Sequence, residues 1–184
     1  MVRLHHKQIL GEINLALEKL DLDTCESFIN IILKSKRIVL YGAGRVGFAM
    51  KGFAKRLRHL GLESYFLDDV TLPFMGPGDL MIIGSGSGST PTVKVVAELA
   101  KNNGLDLILV TAKSNSPIAK MSSCNIIINV PSKGDVDEHT SSVQPMTTLF
   151  EQALFITLDA LVLNMMQIMG ESNESMKKRH NVIE

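Results

Sequence analysis

A run of small and hydroxyl residues, Gly84-Ser85-Gly86-Ser87-Gly88-Ser89-Thr90, stands between the apolar stretch 80–83 and Pro91. The apolar stretch has the look of a buried parallel strand. Proline suits the first turn of a helix, where its missing N–H would have had no partner, and Thr90 before it is a good N-cap. Strand, glycine–hydroxyl loop and helix start therefore follow one another. Such a loop turns several backbone N–H groups and the positive end of a helix dipole toward one point. The ligand for that point is an anion, foremost a phosphate monoester, with Ser85, Ser87, Ser89 and Thr90 adding hydroxyl donors. A flexible Gly/Ser linker is the alternative, but a linker has no reason to sit between a buried strand and a capped helix.

A second glycine stretch, Gly42-Ala43-Gly44-Arg45-Val46-Gly47, matches G-x-G-x-x-G, and Asp68 follows at the end of the next strand. This is the spacing of a dinucleotide fingerprint. Against a nicotinamide cofactor stands the hydroxyl-rich loop, which such a site does not require. A tight strand–helix crossover is the plainer alternative. Arg45 beside a phosphate loop could make a bidentate contact, or lie on the surface. Glu151 falls in the first turn of a long apolar helix, where the dipole alone would favour it; half-buried and facing a cleft, it could equally be a general base. His180 lies in the tail sequence KKRHNVIE and reads as a solvated terminal histidine. His5, His6, His59 and His139 lack metal-ligand spacing, so no metal is expected, and His59 reads as a dipole partner near a helix end.

These residues must be positioned by strands alternating with helices. Helical spacing of Ile9, Ile13, Leu17 and Leu20, then of Phe28, Ile29, Ile32 and Leu33, predicts two helices over 4–34, the second capped by Asp23 or Thr24 with Glu26 in its first turn. Strands are expected at 37–41, 64–67, 79–84, 105–111 and 125–130, and helices at 47–60 and 91–103. A short helix opens at Ser116-Pro117. Residues 131–144 are polar and loop-like. A long helix runs from 145 or 148 to 169, closed by Gly170, and 174–182 form a last short helix or tail. The pattern predicts an α/β fold: a doubly wound, mostly parallel five-stranded sheet flanked by helices, a Rossmann-like or flavodoxin-like three-layer sandwich. Both glycine loops lie at the carboxyl ends of strands, where such sheets bind ligands.

The 184 residues fit one domain, with helices 4–34, core 37–170 and tail 171–184. Hydrophobic residues are 45%, enough for a core. Lys+Arg and Asp+Glu are both 19, so no basic excess points to nucleic acid. The first twenty residues lack the apolar centre and cleavage site of a signal peptide. Cys25 and Cys124 read as reduced, semi-buried thiols of a cytoplasmic protein. The helix at 148–169 is apolar nearly all round, but Glu151, Asp159 and Asn164 keep any apolar run short of a membrane span. A helix this apolar needs cover on both sides, by the sheet and by a second subunit, so a homo-oligomer is expected.

The motifs GAGRVG (42–47), KRLRHLG (55–61), GDLMIIGSGSGST (78–90), VQPMTTLFEQALF (143–155) and RHNVIE (179–184) span most of the chain. With them the chain resembles the sugar isomerase (SIS) domain family, and within it the 6-phospho-3-hexuloisomerases of the ribulose monophosphate pathway. The resemblance implies a cofactor-free, metal-free isomerase acting on a sugar phosphate through a cis-enediolate. It implies that Ser85, Ser87 and Thr90 bind the phosphate with the N–H groups around Gly86, Gly88 and Ser89, and that Gly44, Arg45 and Val46 contribute from the first loop. Glu151 corresponds to the catalytic glutamate. His180 corresponds to a histidine acting from a neighbouring subunit, in what is usually a homotetramer. Two positions depart: the first loop of the family usually ends Arg-Ser-Gly where this chain has Arg45-Val46-Gly47, and Ser89 stands where close relatives often carry an acid. A regulatory sugar-phosphate sensor of the same fold is the rival; the residues before 37 look too few to add a helix-turn-helix domain.

Overall fold

The structure, a computed structural model, describes residues 4–130 and 142–183. In chain order the elements are α1 (His6–Leu17), α2 (Leu22–Lys34), β1 (Ile38–Tyr41), α3 (Gly44–His59), β2 (Ser64–Phe66), β3 (Leu80–Gly84), α4 (Pro91–Asn102), β4 (Asp106–Thr111), β5 (Cys124–Ile127), α5 (Thr148–Met169) and α6 (Asn173–Lys177). The five strands form one sheet in the order β2-β1-β3-β4-β5. Every pairing is parallel, with Ile38 opposite both Ser64 and Leu80, Leu80 opposite Asp106, and Ile108 opposite Cys124. The mostly parallel five-stranded sheet expected from the sequence is the sheet observed.

Strands buried on both faces read as continuous apolar runs, yet their side chains still alternate. Ile38, Leu40, Leu80, Ile82, Ile108, Val110 and Ile126 point to one face and pack with α1, α2, α3 and α5. Val39, Met81, Ile83, Leu107 and Leu109 point to the other, covered by Val93, Ala97 and Ala100 of α4 and by Ile118 and Ala119. The second face is the thinner: Leu99 and Val95 of α4 and Phe74 before β3 stay exposed. On the thicker face α5 contacts α1, α2 and α3. At 22 residues, with a mean hydropathy of 1.4 over an 18-residue window, α5 has the length and composition of a membrane span after all. The interrupting polar residues are too few to lower the average. Half of that window is buried within the protein, with Phe150, Ala153, Leu154 and Met165 almost fully enclosed.

Several boundaries differ from expectation. The helix after β1 begins at Gly44 rather than 47, because only Gly42 and Ala43 are needed to turn the chain. Its approach depends on Gly47, where a Cβ would lie 2.6 Å from the carbonyl oxygen of Gly42. The cap of α2 is Asp21, not Asp23 or Thr24; its carboxylate accepts from the Thr24 hydroxyl instead of a helix N–H. β5 stops at Ile127 because β4, its one partner among the described residues, ends opposite at Thr111. The segment opened by Ser116-Pro117 forms hydrogen-bonded turns in place of a helix, with Ile118 N–H donating to Gly88 O across the gap at 3.2 Å. The loop expected at 131–144 lies outside the described residues except for 142–144.

The entry to β3 is fixed by a buried ion pair. Arg37 donates from Nε to Asp79 Oδ1 (3.0 Å) and from Nη2 to Oδ2 (2.7 Å), and Gly76 N–H donates to Oδ2 (2.9 Å). Burial would push the Asp79 carboxyl up, but these hydrogen bonds and the Arg37 and Lys36 charges outweigh it and hold its pKa below the ordinary carboxylate value. A lowered folded-state pKa contributes stability above the unfolded-state value, and that contribution is lost as pH falls through the folded one. Asp79→Asn is therefore expected to cost about 2 kcal/mol at neutral pH, an amount typical of breaking a buried pair whose arginine is partly solvated. The gap from the parent should close below pH about 4. Urea unfolding at several pH values checks this; equal midpoints at pH 7 would refute it.

Candidate active site

The order 2-1-3-4-5 reverses direction between β1 and β3, and a crevice opens there at the strand carboxyl ends. Both glycine stretches emerge at that crevice. The bend after β3 is held by main-chain bonds: Ser85 N–H donates to Val110 O (3.0 Å), Ala112 N–H to Gly86 O (3.1 Å) and Gly88 N–H to Ser85 O (3.1 Å). Gly88 has φ +58°, and a Cβ there would lie 2.0 Å from Ser116 Oγ, so both conformation and space require glycine. Ser85 is buried and its hydroxyl oxygen accepts from Gly88 N–H at 3.1 Å, so it shapes the bend from within. Ser87 and Thr90 are half-buried, their hydroxyl oxygens 3.4 Å apart. Thr90 occupies the N-cap position of α4 as expected, but its side chain does not cap the helix. It lines the cavity instead.

That cavity, of 410 Å³, is lined by residues of three helix starts: Gly44, Arg45 and Val46 of α3, Thr90 and Val93 at α4, and Thr147, Thr148, Phe150 and Glu151 at α5. Ser85, Gly86 and Ser87 complete its floor. Unpaired first-turn N–H groups and the positive ends of three dipoles thus converge on one volume. Glu151 supplies a carboxylate there, its side chain 13% exposed. Oε1 accepts from the Thr147 hydroxyl at 2.9 Å, and Oε2 lies 2.9 Å from Arg45 Nε.

Of the residues singled out in the sequence, Gly44, Arg45, Val46, Ser85, Gly86, Ser87, Thr90 and Glu151 come together round this cavity. Gly88 and Ser89 are not in its lining; Gly88 sets the bend's shape, and Ser89 is exposed, donating its N–H to Ser87 Oγ at 3.3 Å. His180 lies elsewhere. Its ring packs on that of His59, centroids 5.1 Å apart, at the far end of α3. The 16 residues of α3 put this end about 22 Å from Gly44 at 1.5 Å per residue. Arg179 fastens the tail there, donating to His59 O (2.9 Å) and to both oxygens of Glu171 (2.8 and 2.9 Å). Those bonds, with one from Ser175, pull the Glu171 carboxyl down to about 2. Asp68, the acidic residue of the dinucleotide spacing, pairs with Lys51 Nζ at 2.9 Å and does not line the cavity. Among the described residues no three His, Cys, Asp or Glu side chains gather as a metal would need.

Sequence reasoning missed Thr147 and Met146. A hydroxyl four residues before a first-turn glutamate is a legible signal for the former. Met146 has φ +57° at the cavity rim, a conformation costing a non-glycine residue about 1 kcal/mol, and nothing in its type announces that. The approach to α5 is braced from α1. Glu12 accepts from Ser142 Oγ (2.7 Å), Val143 N–H (2.9 Å) and Gln144 Nε2 (2.9 Å).

The SIS domain family profile matches residues 31–156. A 3-hexulose-6-phosphate isomerase of Bacillus subtilis is 33% identical over 179 residues, which cover 96% of each chain. A crystal structure of a Methanococcus jannaschii protein, from which a 3-hexulose-6-phosphate isomerase function has been inferred, superposes with a TM-score of 0.84 at 31% identity, covering 97% of this chain and 98% of its own. The Escherichia coli transcriptional regulator RpiR is 28% identical over 127 residues, 66% of this chain but 43% of the regulator. The matched span runs from α2 into α5 and contains the whole parallel sheet and both glycine stretches; the chain belongs to the SIS domain family.

Proposed function

We propose that the protein isomerises 3-hexulose 6-phosphate to fructose 6-phosphate. One observation carries this reading: the Glu151 carboxylate lies in the same cavity as Ser87 and Thr90 of the bend, with room beside it for a small phosphorylated sugar. Similarity over nearly the full length to a 3-hexulose-6-phosphate isomerase supports the substrate. The phosphoryl group sits on the bend, against the Ser87 and Thr90 hydroxyls and the start of α4, where the dipole favours it. Anchoring that end places the carbonyl region of the sugar against Glu151. Glu151 removes a proton from the carbon next to the carbonyl, giving a cis-enediolate. First-turn N–H groups of α3 and α5 offset the charge that develops on its oxygen. Return of the proton to the former carbonyl carbon, while the hydroxyl proton of the deprotonated carbon passes to the former carbonyl oxygen, moves the carbonyl by one position with no net oxidation.

Glu151→Gln is expected to lower kcat about 10³-fold while phosphate-ester binding is retained. Formation of fructose 6-phosphate and solvent deuterium exchange into it measure the first; calorimetry measures the second. Turnover near the parent rate would remove Glu151 from the chemistry.

The reading places the protein in the cytoplasm as a single SIS domain and a homotetramer. Exposed apolar side chains on α5 (Phe155, Ile156, Leu163, Ile168) and α1 (Leu10, Leu15) support burial against further copies. His180 stands too far from its own cavity to serve it and is assigned to the cavity of a neighbouring subunit. Mixing Glu151→Gln with His180→Ala protein, each inactive alone, should restore activity to about a quarter of the sites, as random pairing of two subunits dictates. No recovery after demonstrated subunit exchange would confine His180 to a structural role.

A further inference from the structure

Arg45 stands where its charge is least at home. It is in the first turn of α3, which carries no acidic residue, so the positive dipole end disfavours a cation there unless an anion is at hand. In this structure the anion is Glu151, 2.9 Å from Nε. The contact is loose in two respects. The Arg45 side chain is 62% exposed, so little else confines it. Oε2 of Glu151 is buried and within ion-pair range, yet receives no aligned hydrogen bond from any described residue. By contrast, Oε1 is fixed by the Thr147 hydroxyl from the same helix turn, so the carboxylate keeps its place when the arginine moves. Arg45 also lines the same cavity as Ser87 and Thr90, the residues to which the phosphoryl group is assigned.

We propose that Arg45 is an exchangeable latch on Glu151: it covers Oε2 in the ligand-free site and transfers to the phosphoryl group of the substrate, so that capture of the phosphate uncovers the base. A phosphate carries a larger charge than a carboxylate and offers oxygens in the spacing of the guanidinium fork, which favours the transfer. The exchange moves no proton and breaks no covalent bond. It ties the reactive state of the site to the presence of the phosphate, and so discriminates against unphosphorylated ketoses at the catalytic step as well as at binding. The proposal rests on the isomerase reading for the role of Glu151 but is tested without turnover.

The test is a double-mutant cycle on the affinity for inorganic phosphate, measured by calorimetry at fixed ionic strength for the parent, Glu151→Gln, Arg45→Ala and the double variant. Because Glu151 competes with phosphate for Arg45, Glu151→Gln should tighten phosphate binding at least threefold. In the Arg45→Ala background the same substitution should tighten it markedly less, since only removal of a nearby negative charge remains. Far-ultraviolet dichroism and thermal midpoints establish that each variant is folded. Equal effects of Glu151→Gln in the two backgrounds, or none in the parent, overturn the latch. A parent protein that binds phosphate with the expected coupling yet turns over no hexulose phosphate would keep the latch and sink the isomerase reading, so the two failures are distinct.

Discussion

Three helices begin at one cavity, and the electrostatics of that convergence govern the site. Each helix start carries about half a positive charge and N–H groups with no partner inside the helix. Three such ends around 410 Å³ repel one another unless negative charge lies among them. Glu151 is the resident anion, on the first turn of α5, and the Ser/Thr bend offers the rest of the space to a second. The carboxylate therefore has a structural reason to be where its chemistry is needed. A neutral ligand would leave that field uncompensated, whereas a phosphorylated one completes it.

The convergence follows from the topology. In a parallel sheet every strand ends on the same edge, and every following helix starts there. β1 and β3 are neighbours whose helices, α3 and α4, leave to opposite faces, so a gap opens between their starts. α5 comes from after the last strand and returns across the thicker face to close the gap from above. Its apolar surface is the means of that return: Phe150, Ala153 and Leu154 seat it in the core and so fix where Glu151 stands.

The sheet, its helices and the two glycine stretches were legible because each is written in local pattern: β-rich apolar runs, helical spacing, glycine and hydroxyl residues at the joints. Glu151 stood out as the charged residue of an apolar turn. The misses share a different cause. The start of α3, the end of β5 and the turns after Ser116 depend on particular backbone contacts: Gly42 O against Gly47 within one tight turn, Thr111 against Ile127 on the neighbouring strand, and Gly88 O against Ile118 N–H between two loops. The pairing of Arg45 with Glu151 joins residues 106 positions apart, and no spacing rule encodes it. The dock of His180 on His59 is likewise a tertiary fact. Polar residues interrupt the apolar run of α5, whereas its mean hydropathy averages over them.

The brace from Glu12 has a bearing on what the minimal unit of this site is. The span matching the family profile begins within α2 and contains the whole sheet and every lining residue of the cavity. It omits α1, and with it the carboxylate that gathers Ser142, Val143 and Gln144 just ahead of the strained Met146. A chain trimmed to the family boundaries would keep all the wall residues yet lose the strut that sets the entrance height of α5. The leading helix is thus scaffolding for a threshold more than a hundred residues downstream, and its acidic residue belongs to the architecture of the doorway.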